Sequence, residues 1–265
     1  MRYKLNNYAS IFNFGTGNGY FNVISYNISV GRNSVSQPIY PRYGSELILS
    51  LEVTPPYSAF NDVDYEELYP GEQNRAARED NMYRWVEFHK WKFKLAWYNE
   101  LYDKLVLMTR VRFGFLGCYN PDIGITPFQR FYLGGDGLSN YNFDGREIIG
   151  MRGYGNEVLT PHYSIDNNLG GNIFAKYTME IRYPLSLNPT ATIYALGFVE
   201  AGNDWFGVVT FNPFDVYRSA GRGGRIFLPM FGMLGIDWGY GFDEVPGMNG
   251  ANKSQFHFSI GGPIY

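Results

Sequence analysis

Several segments of the chain place an apolar residue at every second position, the pattern of a β-strand with two unlike faces. From Glu46 to Thr54, Leu47, Leu49, Leu51 and Val53 fall on one face, while Glu46, Ile48, Ser50, Glu52 and Thr54 fall on the other. From Lys90 to Trp97, Trp91, Phe93, Leu95 and Trp97 alternate with Lys90, Lys92, Lys94 and Ala96. From Lys104 to Phe115, Leu105, Leu107, Val111, Phe113 and Phe115 oppose Lys104, Arg110, Arg112 and Gly114, with Thr109 the polar exception. From Ile173 to Tyr183, Ala175, Tyr177, Met179 and Ile181 oppose Lys176, Thr178, Glu180 and Arg182. These runs match the roughly 9–11 residues that a tilted strand needs to cross a bilayer.

Extending the pattern to the whole chain predicts ten strands, near 3–13, 20–32, 44–54, 83–98, 102–116, 172–183, 190–202, 214–226, 230–240 and 254–264. Short connections at Asn99-Glu100-Leu101, Pro184 to Pro189 and Phe227 to Pro229 interleave with long ones at 55–82, 117–171, 203–213 and 241–253. The turn-rich connection 33–43 falls on the short side. Transmembrane β-barrels sort their connections in this way, with short turns on the periplasmic side and longer loops outside.

Alternation alone also fits a soluble sandwich, in which the apolar face fills a core and the polar face meets water. Composition shifts the balance towards a membrane barrel: aromatic residues make up 18% of the chain, with 23 Tyr and 21 Phe, and there are 32 Gly. Trp91 and Trp97 on one row, with Tyr and Phe near many strand ends, suit the aromatic girdles of such a barrel. The formal charge is -3 with no basic block, so the footprint of a nucleic-acid binder is missing. Cys118 is the only cysteine, which excludes an internal disulfide and a Cys/His zinc set. The most apolar segment, Ile226 to Ile236, is broken by Pro229, Gly232 and Gly235 and falls well short of the roughly 20 residues of a membrane helix. The start, Met1 to Asn7, lacks the apolar core of a signal peptide.

Candidate chemistry is sparse. His89, His162 and His257 are scattered, and no nucleophile elbow, zinc helix motif or dinucleotide fingerprint occurs, so no enzyme activity, cofactor or metal is expected. The acidic run Asn61 to Glu67 lacks the glycine and terminal glutamate spacing of a calcium loop.

Four stretches resemble the BamA family of outer-membrane assembly barrels, in the bacterial surface antigen superfamily. Gln37-Pro38-Ile39-Tyr40-Pro41-Arg42-Tyr43-Gly44-Ser45 resembles the family's Tyr/Phe-Pro-x-x-Gly-Ser turn. Phe128 to Gly135, continuing to Met151-Arg152-Gly153-Tyr154-Gly155, is similar to the Phe-x-x-Gly-Gly approach to a Val-Arg-Gly-Phe motif, with Met151 and Tyr154 in place of Val and Phe. Gly197 to Trp205 resembles a Phe-x-Asp-x-Gly-x-x-Trp strand, with Glu200 in place of Asp. The end of the chain, with Phe256, Phe258, Ile260, Gly261 and Tyr265, resembles a C-terminal outer-membrane signal strand, although Pro263 lies within it.

The resemblance implies an all-β, transmembrane antiparallel β-barrel in the cell outer membrane, of which this chain supplies the last ten or so of sixteen strands. Residues 1–265 would then form a partial barrel domain with a long surface or lumen loop at 117–171, and the first six strands and the POTRA domains would be absent. The implied function is assembly and insertion of β-barrel proteins into the Gram-negative outer membrane through a weak lateral seam. Its partners would be outer-membrane lipid, client β-barrel proteins and accessory lipoproteins. Arg152 is expected to enter the lumen and pair with Glu180 and Glu200, which a planar guanidinium suits better than an ammonium would. Lys90, Lys92, Lys94, Arg110 and Arg112 would face the lumen, because a basic side chain facing lipid at mid-membrane costs about 2–4 kcal/mol. The alternatives are a related translocation pore, a passive channel or porin that needs no Arg152 anchor, and a soluble all-β binding module.

Overall fold

The computed structural model describes residues 2–4, 18–20, 22–61, 84–136, 147–164, 167–168, 170–248 and 250–260. Its strands are β1 (Arg2–Lys4), β2 (Asn18–Tyr20), β3 (Tyr26–Asn33), β4 (Gly44–Val53), β5 (His89–Tyr102) and β6 (Leu105–Gly117). Four short strands follow, β7 (Phe131–Leu133), β8 (Glu147–Ile149), β9 (His162–Ser164) and β10 (Asn167–Asn168). The chain then resumes long strands with β11 (Ile173–Asn188), β12 (Ala191–Trp205), β13 (Tyr217–Leu228), β14 (Gly232–Gly241) and β15 (Lys253–Ile260). Among the described residues no helix is long and apolar enough to cross a membrane.

Nine strands form one antiparallel sheet in the order β15-β14-β13-β12-β11-β6-β5-β4-β3, in which chain neighbours are sheet neighbours and β7 to β10 are an insertion between β6 and β11. β3 and β15 end the order and are not paired with each other among the described residues. Among the described residues the sheet therefore has nine strands, where the alternation predicts ten along the whole chain. The first predicted strand, 3–13, is described only at its start, and β1 pairs with β2 as a separate ribbon, Tyr3 opposite Gly19. The predicted 20–32 strand divides accordingly, and only β3 joins the sheet.

Strands β5 and β11 run past their expected C-terminal ends, for identifiable reasons. β5 runs through Asn99-Glu100-Leu101, and the reversal falls at Asp103 and Lys104, both with positive φ, 34° and 69°. Two such residues in succession suit the right-handed twist of a tight hairpin. β11 continues past Pro184 to Asn188. Its pairing with β6 stops at Arg182, so the amide that Pro184 lacks is not wanted on that side, while Pro184 faces Tyr194 of β12 on the other. The third short turn falls at 229–231, where Phe231 N–H donates to the Leu228 carbonyl at 3.0 Å. At about 3.3 Å per residue and a tilt of about 40°, the 16 residues of β11 span roughly 40 Å, longer than an apolar band about 25 Å tall.

The two faces of the sheet are inverted relative to a soluble sandwich. Exposed outward rows include Leu47 and Leu49 on β4, Trp91 and Trp97 on β5, Met179, Ile181 and Tyr183 on β11, and Ile236 on β14. The opposite rows are polar and buried: Lys90, Arg110, Lys176, Thr178, Glu180, Arg182, Glu200, Arg225 and Asp237. What covers them is the chain's own insertion. Phe131, Leu133, Ile149, Met151 and Tyr154 of the 117–171 segment pack with Phe88, Leu116 and Phe174 of the wall. The sheet curls around this segment, since Lys90 on β5 bonds the Gln129 carbonyl and His257 on β15 bonds Gly153.

A second, smaller cluster fills the short-turn end. Tyr40, from the 34–43 turn, is buried with Tyr98, Met108, Tyr194, Phe198 and Met233. Its ring meets Tyr194 edge-on at 5.2 Å, and its hydroxyl lies 2.9 Å from the carbonyl oxygens of both Lys104 and Arg182, sharing one proton between two acceptors.

Candidate functional site

The two clusters leave a charged layer between them, and the tip of the insertion, Met151-Arg152-Gly153-Tyr154, reaches into it. Glu180 and Glu200 are placed there by the two-residue period of β11 and β12: Thr178 lies opposite Glu200 and Glu180 opposite Phe198, so both carboxylates share the inner face. Arg152 Nη2 donates to Glu180 Oε1 at 2.7 Å and to Glu200 Oε1 at 2.8 Å. The backbone N–H of Arg152 donates to Glu200 Oε2 at 2.9 Å, so Glu200 holds the peptide as well as the side chain. The guanidinium stacks over the Phe198 ring, 3.6 Å from its centroid, which favours a flat, weakly hydrated cation.

Five further residues join the anchor, none of them assigned to it from the sequence. Asp237 of β14 is a third acid, its Oδ2 lying 3.5 Å from Arg152 Nη1. Each acid is also shared with a second cation. Lys176 Nζ lies 2.9 Å from Glu200 Oε1, Arg182 Nη2 lies 2.7 Å from Glu180 Oε2, and Arg225 donates to both oxygens of Asp237 at 2.8 and 2.7 Å. Lys176 also donates to the Gly150 carbonyl at 2.5 Å, tying the residue before the motif to the same wall. His257 of β15 is the fifth: its Nε2 accepts the Gly153 N–H at 2.8 Å, so the end strand of the sheet holds the tip. The alternation does put Asp237 and His257 on inner rows, where they stand opposite each other, but only the curl of the sheet brings both to Arg152.

Space for the tip comes from small side chains. The inner positions of β13 and β14 facing it include Ser219, Gly239 and Gly241. Gly153 adopts φ +88°, and a Cβ there would approach Gly241 N, Ser219 Cβ and Tyr240 C to 2.9 Å each. A Cβ on Gly239 would in turn come within 2.7 Å of Gly153 N. Tyr154 closes the tip: its hydroxyl donates to the Arg218 carbonyl at 2.8 Å and accepts the Asp243 N–H at 3.3 Å. Burial pushes that phenol up to about 12, so it remains a neutral donor. Met151 is buried in the insertion's own core and donates its N–H to the Gly135 carbonyl at 2.9 Å.

The basic residues of β5 are engaged rather than merely wet. Lys90 Nζ lies 2.7 Å from Glu147 Oε2 and Lys92 Nζ 3.4 Å from its Oε1, so both dock β8 of the insertion, whereas Lys94 pairs with Glu46 on the neighbouring strand at 2.8 Å. Phe256, Phe258 and Ile260 point outward from β15 and are exposed. Gly261, Pro263 and Tyr265 lie outside the described residues, as does the acidic run from Asp62 to Glu67. Among the described residues no set of three or more His, Cys, Asp or Glu side chains is gathered as a metal site.

Outward apolar rows, a polar inner wall and an inserted loop fixed by a shared arginine define a class: part of an outer-membrane-type β-barrel with an occupied interior. The chain matches the Omp85 superfamily domain over residues 2–263 and belongs to that superfamily. Its fold is similar to the crystal structure of BamA from Haemophilus ducreyi lacking POTRA domains 1-3, with a TM-score of 0.58 and 17% sequence identity over 97% of this chain. The match covers 47% of that chain, so this sequence spans about half its length. Comparison with curated protein sequences finds no match.

Proposed function

We propose that this chain forms the C-terminal part of a barrel that assembles and inserts β-barrel proteins into the outer membrane. The observation that carries the reading is the Arg152 anchor, in which one guanidinium and its own peptide N–H are held by acids from β11, β12 and β14. Superfamily membership supports it, as does the similarity to a BamA barrel. No covalent chemistry is needed. A client strand would add to the free edge of a seam strand, satisfying backbone groups that lack a partner there.

In this reading the loop tip acts on the seam through His257. β15 is paired on one side by β14, from Leu234 opposite Ile260 to Gly241 opposite Lys253, and its inner face holds Gly153. Moving β15 aside breaks that hydrogen bond, while the Arg152 contacts to β11 and β12 keep the loop in place. The closed interior argues against the passive channel: the insertion packs one end and the Tyr40 turn the other. Accessory lipoproteins remain partners of the proposal, and clients are β-barrel proteins as a class.

The test is insertion of a small client barrel into lipid vesicles with and without the folded chain, read as the appearance of heat-modifiable client on gels. Faster appearance with the chain, and a return towards the empty-vesicle rate with Arg152→Ala, are expected. Equal rates in all three samples would remove the assembly reading.

A further inference from the structure

One outward-facing loop lacks the polarity its position calls for. Between β12 and β13 the chain runs Trp205-Phe206-Gly207-Val208-Val209-Thr210-Phe211-Asn212-Pro213-Phe214 with no charged residue. A loop standing in water beyond a strand end is ordinarily polar, since apolar exposure there gains nothing. Here Val208, Val209 and Phe214 are exposed, Val209 completely.

The register fixes which side of the sheet this loop lies on. Ile173 pairs with Trp205 and Ala175 with Asn203, and Phe113 lies opposite Ala175; all share the face of Tyr177 and Met179, which is the outer one. Phe211 folds back onto that face. Its ring meets Trp205 at 5.0 Å and Phe113 at 6.0 Å, both edge-on, and the contact buries Ile173, Ala175 and Trp205. Both ends of the loop are pinned: Asn172 donates its amide to the Phe206 carbonyl, and Asn203 donates to the Asp215 carbonyl at 2.8 Å. The loop is thus a flap laid down the outside of the wall, one side packed on it and the other bare.

We infer that this flap is a membrane-contacting element whose free side, Val208, Val209 and Phe214, sits among the acyl chains at the long-loop rim of the lipid belt. The inference rests on the barrel reading above. Lipid is the occupant because the flap continues an outward surface that is already apolar, from Tyr177 and Met179 on β11 through Val199 on β12. A protein partner would be expected to find charged groups along the rim of its patch, and no charged residue lies between Trp205 and Phe214. A short 3-10 turn, Val208–Thr210, presents the two valines at the tip.

The full chain, with Cys118→Ser removing its one native thiol, would be spin-labelled at Val209→Cys and, separately, at Phe214→Cys, and folded into phosphatidylcholine vesicles. Met179→Cys on the outer wall and Asp122→Cys in an exposed loop supply the lipid and water references. Collision with oxygen, which partitions into lipid, and with a water-soluble nickel chelate is read by power saturation. Oxygen accessibility several-fold above the Asp122 reference with low nickel accessibility, at both flap positions, is the expected result. High nickel accessibility at Val209 with a lipid-like Met179 overturns the flap but leaves the barrel reading standing. Low accessibility to both reagents means that protein covers the flap and also overturns the inference. A water-like Met179 instead removes the barrel reading itself.

Discussion

At the scale of single residues, the anchor is asymmetric. Glu200 uses both oxygens on the loop, accepting from Arg152 Nη2 and from the Arg152 peptide N–H, and also faces Lys176 and Thr178. Glu180 gives Arg152 one contact and spends its other oxygen on Arg182. Glu200→Gln keeps one acceptor oxygen and so leaves either the buried peptide donor or the cations without one, whereas Glu180→Gln leaves Arg152 with Glu200. Breaking a well-buried pair costs about 3–5 kcal/mol, but each acid here keeps a second cation, so Arg152→Ala should cost about 2–3 kcal/mol. Glu200→Gln is expected to destabilise more than Glu180→Gln, by about 1–2 kcal/mol, read from denaturant unfolding in vesicles. Equal losses would mean that the peptide contact carries nothing. The Arg152 pairing with Glu180 and Glu200 was implied by the family resemblance, with strand parity placing both acids on the polar face. The contribution of Asp237 was not, because it lies on a strand far along the chain, and distance in sequence says nothing of how tightly a sheet curls.

At the scale of elements, the insertion is held by shape as much as by charge. Gly153 needs its positive φ and its missing Cβ at once, with backbone of β14 within 2.9 Å of where that Cβ would be. Strain at such a position is of order 1–3 kcal/mol, and the clash adds to it because backbone cannot turn aside. Gly153→Ala should therefore release the tip while the wall stays folded. Limited proteolysis should cut the 147–160 region several-fold faster, with the heat-modifiable gel shift of the sheet unchanged. Cleavage at the wild-type rate would show that the close approach is soft. The outer elements were easier to foresee than this one. Strands β4, β5, β6 and β11 follow a period of two that the membrane enforces on every residue, whereas β7 and β8, three residues each, carry no period long enough to read. The predicted turn at Asn99-Glu100-Leu101 failed for a related reason: polar residues near a strand end resemble a turn, but the dipeptide that accepts positive φ was Asp103-Lys104.

At the scale of the molecule, two packed bodies close the interior from opposite ends and meet at the charged layer. The insertion's core and the Tyr40 cluster share no buried residue. They meet at Arg182, whose carbonyl accepts from Tyr40 and whose side chain holds Glu180, and at Phe198, a member of the Tyr40 cluster on which the Arg152 guanidinium stacks. Because Tyr40 uses backbone and not the guanidinium, the two closures should be nearly independent. In a double-mutant cycle, Tyr40→Ala and Arg152→Ala are expected to add within about 0.5 kcal/mol. In hydrogen exchange, Tyr40→Ala should deprotect 34–43 while leaving 147–160 protected, and Arg152→Ala should do the reverse. A coupling above about 1 kcal/mol, or deprotection of both segments by either change, would mean that the layer transmits between them.

The sequence by itself determined that the chain is a sheet with one greasy and one polar face and which rows are which; the partners of Arg152 came from the family resemblance. The faces and their rows are local or periodic facts, fixed by the pleat and by the cost of a charge in hydrocarbon. Tertiary structure alone decided how many strands join the sheet, that Asp237 and His257 complete the anchor, that the 34–43 turn folds inward as a stopper, and that the β12–β13 loop folds outward as a flap. Each of these depends on curvature and on which surfaces happen to lie open beside a strand end, and such contacts between distant parts of the chain leave no period in the sequence.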